Sequence, residues 1–118
     1  SLKEGTTIQL KSVLFKRGTS EIKDGSFEEL DRVYTMLKKN PTIEIELSGH
    51  TDNTGSAKLN IELSQKRSDR IKEYLVEKGI DSKRLESKGY GGARPIASNR
   101  SEATRKLNRR VEFTIIKI

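Results

Sequence analysis

Between Ile43 and Leu75 the chain is written as a strand, a polar turn and a long helix, in that order. Ile43, Ile45 and Leu47 alternate with Glu44 and Glu46, the period of a half-buried strand. From Gly49 to Gly55 the residues are His, Thr, Asp, Asn and Thr, types that accept the backbone angles β-branched apolar residues refuse. Leu59, Leu63, Arg67, Ile71 and Leu75 then recur every fourth residue, which is one face of a helix. Arg67 is a charge inside that apolar stripe. Burying it is costly unless it meets an opposite charge. Asp52, in the turn, is the nearest candidate. Either Asp52 folds back onto Arg67 as a structural salt bridge, or both face a ligand that carries both signs.

The rest of the composition narrows the ligand. The chain has 118 residues, the size of a single domain. No apolar run approaches the ~20 residues of a membrane span, and no charged-then-apolar leader opens the chain. There is no Cys, which removes disulfides and thiolate metal sites. Twenty-four basic against seventeen acidic side chains give a net charge of +7, which favours anionic partners. Those basic residues are spread along the chain and concentrate only in the last quarter, at Arg94, Arg100, Arg105, Lys106, Arg109 and Arg110. With six aromatics and no Trp, a base-stacking surface is not evident, so a nucleic-acid partner is not expected. His50 is the only His, and no third ligand joins it and Asp52, so neither a metal nor a cofactor is expected. No G-x-S-x-G elbow accompanies them, and Gly89–Tyr90–Gly91–Gly92 lacks the ending of a phosphate loop. It reads as a flexible surface loop, and no catalytic apparatus emerges.

In chain order, residues 6–15 read as a strand with a bend near Ser12, where the apolar parity shifts. Ser26 with Glu29 fits a capping box, and Asp24–Gly25 allows an earlier helical turn. The helix that follows stops at Asn40–Pro41. A second helix runs from about residue 57 to 78 and ends on Gly79. Residues 85–89 read as a third strand, residues 102–106 as a short helix, and residues 108–118 as a strand inside the sheet. The fold class is α/β (α+β), with helices layered on one mixed sheet.

A ligand for Asp52 and Arg67 together needs an ammonium and a carboxylate close to one another. Asp52 would take the first. Arg67, a planar fork of donors, would take the second, helped by turn N–H groups and Asn60. That is the head group of an amino acid.

Gly49-His50-Thr51-Asp52-Asn53-Thr54-Gly55, Asn60, Leu63-Ser64 and Arg67 resemble the signature of the OmpA-like C-terminal domain, shared with peptidoglycan-associated lipoproteins and flagellar motor B proteins. Tyr74-Leu75, Gly79-Ile80, Arg84-Leu85, Gly89-Tyr90-Gly91, Pro95-Ile96-Ala97, Asn99 and Asn108-Arg109-Arg110-Val111-Glu112 extend the likeness over nearly the whole chain. The resemblance implies a mixed four-stranded sheet with helices packed on one face. It implies non-covalent binding of peptidoglycan through the diaminopimelate of the stem peptide, by a module that is not an enzyme. Asp52 matches the ammonium-binding Asp and Arg67 the carboxylate-binding Arg. Thr51, Asn53, Asn60 and Leu63 fall where that pocket is lined, and Arg110 near its base. Residues 1–118 would then be one peptidoglycan-binding domain, the C-terminal part of a longer periplasmic or outer-membrane protein of a Gram-negative envelope. Contact with the membrane would run through segments outside the chain, and a dimer or envelope-protein partner fits the same role. Two positions depart from the family pattern. Lys16-Arg17 follows Phe15 where many relatives have an acid, and Thr104-Arg105 stands where relatives have Gly before the last strand.

Overall fold

The computed structural model describes residues 2–118. Four strands form one mixed sheet: β1 Thr7–Gln9, β2 Glu44–His50, β3 Leu85–Gly91 and β4 Arg110–Lys117, in the order β1-β4-β2-β3. β2 and β3 run parallel, because the helix α2 Ala57–Glu77 carries the chain back between them; β4 is antiparallel to both β1 and β2. β4 therefore lies inside the sheet, as its apolar alternation predicts. Ile45, Leu47, Val111, Phe113 and Ile115 are buried on one face, beneath α1 Phe27–Lys39 and α2. Leu30, Val33 and Leu37 of α1 and Ile71 and Leu75 of α2 complete that core. The Arg84 guanidinium donates to the carbonyls of Leu37, Asn40 and Ile43, which satisfies the end of α1 that Pro41 leaves open.

Three sequence expectations are corrected. The first strand covers only Thr7–Gln9; at Leu10 the chain turns, with Val13 N–H donating to the Leu10 carbonyl, and Phe15 pairs instead with Ile22 across a small hairpin. Ser26 does not cap α1. Its hydroxyl is taken by the backbone of Leu14, donating to the carbonyl and accepting from the N–H, while residues 24–26 form the earlier 3-10 turn. Gly89 to Gly92 is not a flexible surface loop. β3 continues through Gly91, and Gly89 and Gly91 are buried against α2. There the helix presents Ser64 and Ser68, and strand and helix are stitched together by polar bonds. Gln65 donates to the Ser87 carbonyl and accepts from the Gly89 N–H, Ser68 donates to the Lys88 carbonyl, and Ser64 accepts from the Gly91 N–H. These bonds tie β3, the edge strand of the sheet, to α2 along much of its length.

Candidate functional site

The stripe on α2 changes character along its length. Ile71 and Leu75 are fully buried, Leu63 and Arg67 are partly buried, and Leu59 is exposed. The N-terminal half thus faces a cleft of about 870 Å³ instead of the core. The wall opposite α2 comes from residues 13–18, from the turn after β2, and from α3 Glu102–Asn108 with the first residues of β4. α3 starts on Ser101, whose hydroxyl accepts from the Thr104 N–H, and its end is held by Asn108, fully buried. The Asn108 amide accepts from the N–H groups of Ile96 and Ala97 and donates to the Ala97 carbonyl and to Asn99 Oδ1.

Asp52 and Arg67 both line this cleft, and they do not bond to each other. Asp52 Oδ1 accepts the Thr54 N–H at 2.8 Å, and Oδ2 accepts Arg109 Nη1 at 2.6 Å. Burial pushes this carboxyl up, but the Thr54 N–H and the Arg109 guanidinium outweigh it and hold it below the usual carboxylate range. One lone pair on each oxygen is left for a further donor. Arg109 is shared: it also donates to Glu102 Oε2 at 2.5 Å and Oε1 at 3.3 Å. Arg67 is anchored differently. Its Nε donates to the Thr19 carbonyl at 2.8 Å and its guanidinium lies 5.0 Å from the centre of the Phe15 ring. Among the described residues no carboxylate pairs with it, and its Nη groups have no protein acceptor. Burial pulls its pKa down, the mark of a cation short of solvent and of a counter-charge.

The other predicted residues distribute unevenly. Thr51 is buried and its hydroxyl donates to the Asp52 carbonyl; Asn60 Nδ2 donates to the Thr54 carbonyl at 3.0 Å and the Asp52 carbonyl at 3.4 Å, so both shape the turn. Leu63 lines the cleft beside them, whereas Asn53 is exposed and does not. Arg110 reaches the cleft lining, but its guanidinium is buried and occupied, donating to Glu112 Oε2 and to the carbonyls of Arg94 and Asn108. Sequence reasoning missed Arg109, Glu102, Phe15 and Thr19. Arg109 was legible: alternation along β4 puts Arg110 with Glu112 on the open face of the sheet and its neighbour on the other.

His50 ends β2, buried, its ring stacked on Tyr90 at 5.3 Å. Nε2 lies 3.3 Å from Glu112 Oε1, yet off the line of a hydrogen bond. Burial, with Arg110 beside it, pushes the imidazole down to about 4. The unfolded chain takes up this proton near pH 6.5 and the folded one only near 4, so the unfolded form binds more protons in between. Stability from this group is full above about pH 6.5 and is lost as the pH falls towards 4, by up to about 3 kcal/mol. Chemical denaturation of wild type and His50→Gln at pH 4.5 and 7.0 should show a smaller acid loss in the variant. An equal loss in both would place the acid sensitivity elsewhere.

A family model described as the OmpA family matches residues 14–109. The chain belongs to the OmpA family. It is 38% identical over 103 residues to outer membrane porin F of Pseudomonas fluorescens, covering 87% of this chain and 32% of that protein. It is 36% identical over 103 residues to the peptidoglycan-binding protein ArfA of Mycobacterium bovis, again 87% of this chain and 32% of the relative. The chain thus spans about a third of the length of these OmpA-family relatives. The cell wall anchor of the T6SS from Pseudomonas aeruginosa superposes with a TM-score of 0.79 at 30% identity, over 95% of this chain and 80% of that one. Among the described residues no helix is long and apolar enough to cross a membrane, and no group of three or more His, Cys, Asp or Glu is arranged to hold a metal.

Proposed function

We propose that this domain binds peptidoglycan non-covalently and ties an envelope protein of the outer membrane or periplasm to the cell wall, taking the free zwitterionic centre of diaminopimelate in the stem peptide. The single observation that carries the reading is Arg67. Its guanidinium lines a cleft it shares with Asp52, and among the described residues no acid answers it. Nε on the Thr19 carbonyl and the ring of Phe15 fix the plane, so a carboxylate meets an oriented fork. The ligand ammonium adds to Asp52 as a second donor beside Arg109. The names of the relatives, a peptidoglycan-binding protein and a cell wall anchor, support the same class of ligand. Affinity at one head group is modest, and many copies along one polymer raise it. The rival reading, a structural or protein-interaction domain whose acid and base form only a salt bridge, would rest on Asp52 and Arg109 and leaves Arg67 without a role.

Calorimetric titration with a diaminopimelate stem peptide, beside the same peptide with Lys in its place, tests the reading. Lys keeps an ammonium and lacks the second carboxylate, so Arg67 loses its partner. Binding of the first at least tenfold tighter is expected, the scale of one charge-assisted contact. Equal binding of the two would remove Arg67 from the site.

A further inference from the structure

We infer that the cleft holds a second, purely cationic subsite at its rim, built from Arg17, Lys23 and Lys106, which selects stem peptides that keep a free carboxylate beside the diaminopimelate over those in which it is amidated. This rests on the peptidoglycan reading and names which form of that ligand the site prefers.

The argument is a charge count in space. Seven cationic and two acidic side chains line the cleft, a surplus of five out of the whole chain's +7. His50 in its wall is neutral above about pH 4 and adds nothing. Arg109 and Arg105 share Glu102, and Arg110 is paired with Glu112 outside the lining. A zwitterionic head group is neutral and uses Asp52 and Arg67, leaving the surplus as it was. Arg17, Lys23 and Lys106 are exposed, and among the described residues none is paired with a carboxylate. Arg17 and Lys23 sit on the hairpin of residues 14–23 and Lys106 on α3, and both pieces line this cleft. The loop carrying Arg17 is a set turn: Lys16 is paired with Glu21 at 2.7 Å, and Thr19 folds back on the Lys16 carbonyl through both N–H and hydroxyl. Low-dielectric walls focus such a field, so a ligand with a further negative charge gains where a neutral one does not.

Two stem peptides identical but for a carboxylate or a carboxamide on the residue preceding diaminopimelate should be titrated into wild type and into Arg17→Gln/Lys23→Gln/Lys106→Gln, at low and at near-physiological salt. The wild type is expected to prefer the carboxylate peptide about five- to tenfold at low salt and less at higher salt. The triple variant should lose the preference while its affinity for the amidated peptide stays the same. Equal binding of both peptides by wild type overturns the subsite and leaves the diaminopimelate site standing, as does a preference that survives in the triple variant. A single-stranded oligonucleotide that binds wild type as tightly as the carboxylate peptide overturns it too, since the surplus would then attract any polyanion. No binding of either peptide overturns the peptidoglycan reading and the subsite with it.

Discussion

Gly89→Ala is expected to lower the stability of the domain by about 3 kcal/mol and its melting temperature by about 10 °C. A Cβ at this position would stand 2.2 Å from the backbone nitrogen of Gln65, 2.6 Å from its Cα and 2.7 Å from Ser64 Oγ. The first two atoms belong to the backbone of α2, so relief requires the whole helix to move off β3. That movement would stretch the bonds from Gln65 to Ser87 and Gly89 and from Ser68 to Lys88, all near 3 Å. The N-terminal half of the same helix carries Arg67, so binding should weaken along with stability. Gly25→Ala is the control: nothing lies within 4 Å of its added Cβ, and the change should stay within about 0.5 kcal/mol. Thermal unfolding of both variants against wild type decides the matter. An unchanged melting temperature for Gly89→Ala would mean that helix and strand are not in backbone contact.

What could be read from the sequence was what has a period. Alternation located β2 and β4 and put β4 inside the sheet; the four-residue repeat located α2 and singled out Arg67 as its misfit. What could not be read was the choice of partner over distance. Asp52 sits next to its turn but bonds to Arg109, 57 positions away, because the sheet brings the start of β4 beside the end of β2. Ser26 has the local sequence of a cap, yet the hairpin of residues 14–23 reaches its hydroxyl first. Gly89 to Gly92 has the composition of a loop, but glycine is also what a strand needs where a helix lies against it. Nothing in the neighbouring residues separates those two uses.

Arg67→Ala and Asp52→Ala should each weaken stem-peptide binding by about 2–3 kcal/mol, since each leaves one ligand charge without its partner in a partly dry cleft. Their effects on the free protein should differ, and the difference tests the assignment of roles. Arg67 neutralises no acid among the described residues, so its loss costs the fold only the Thr19 bond and the contact with Phe15, about 1 kcal/mol. Asp52 neutralises Arg109 and caps the Thr54 N–H, so its loss disturbs the turn and leaves Arg109 to Glu102 alone. Asp52→Ala should therefore melt lower than Arg67→Ala at comparable loss of affinity. Arg67→Lys sharpens the point. It keeps the charge but loses the planar fork, and should bind about tenfold more weakly with little change in melting temperature. A side chain kept only for stability would show the reverse, a lower melting point and undiminished binding. If both alanine variants retain full affinity for the diaminopimelate peptide, the ligand lies elsewhere on the domain, and the isolation of Arg67 from every acid among the described residues would have to be explained by another anion.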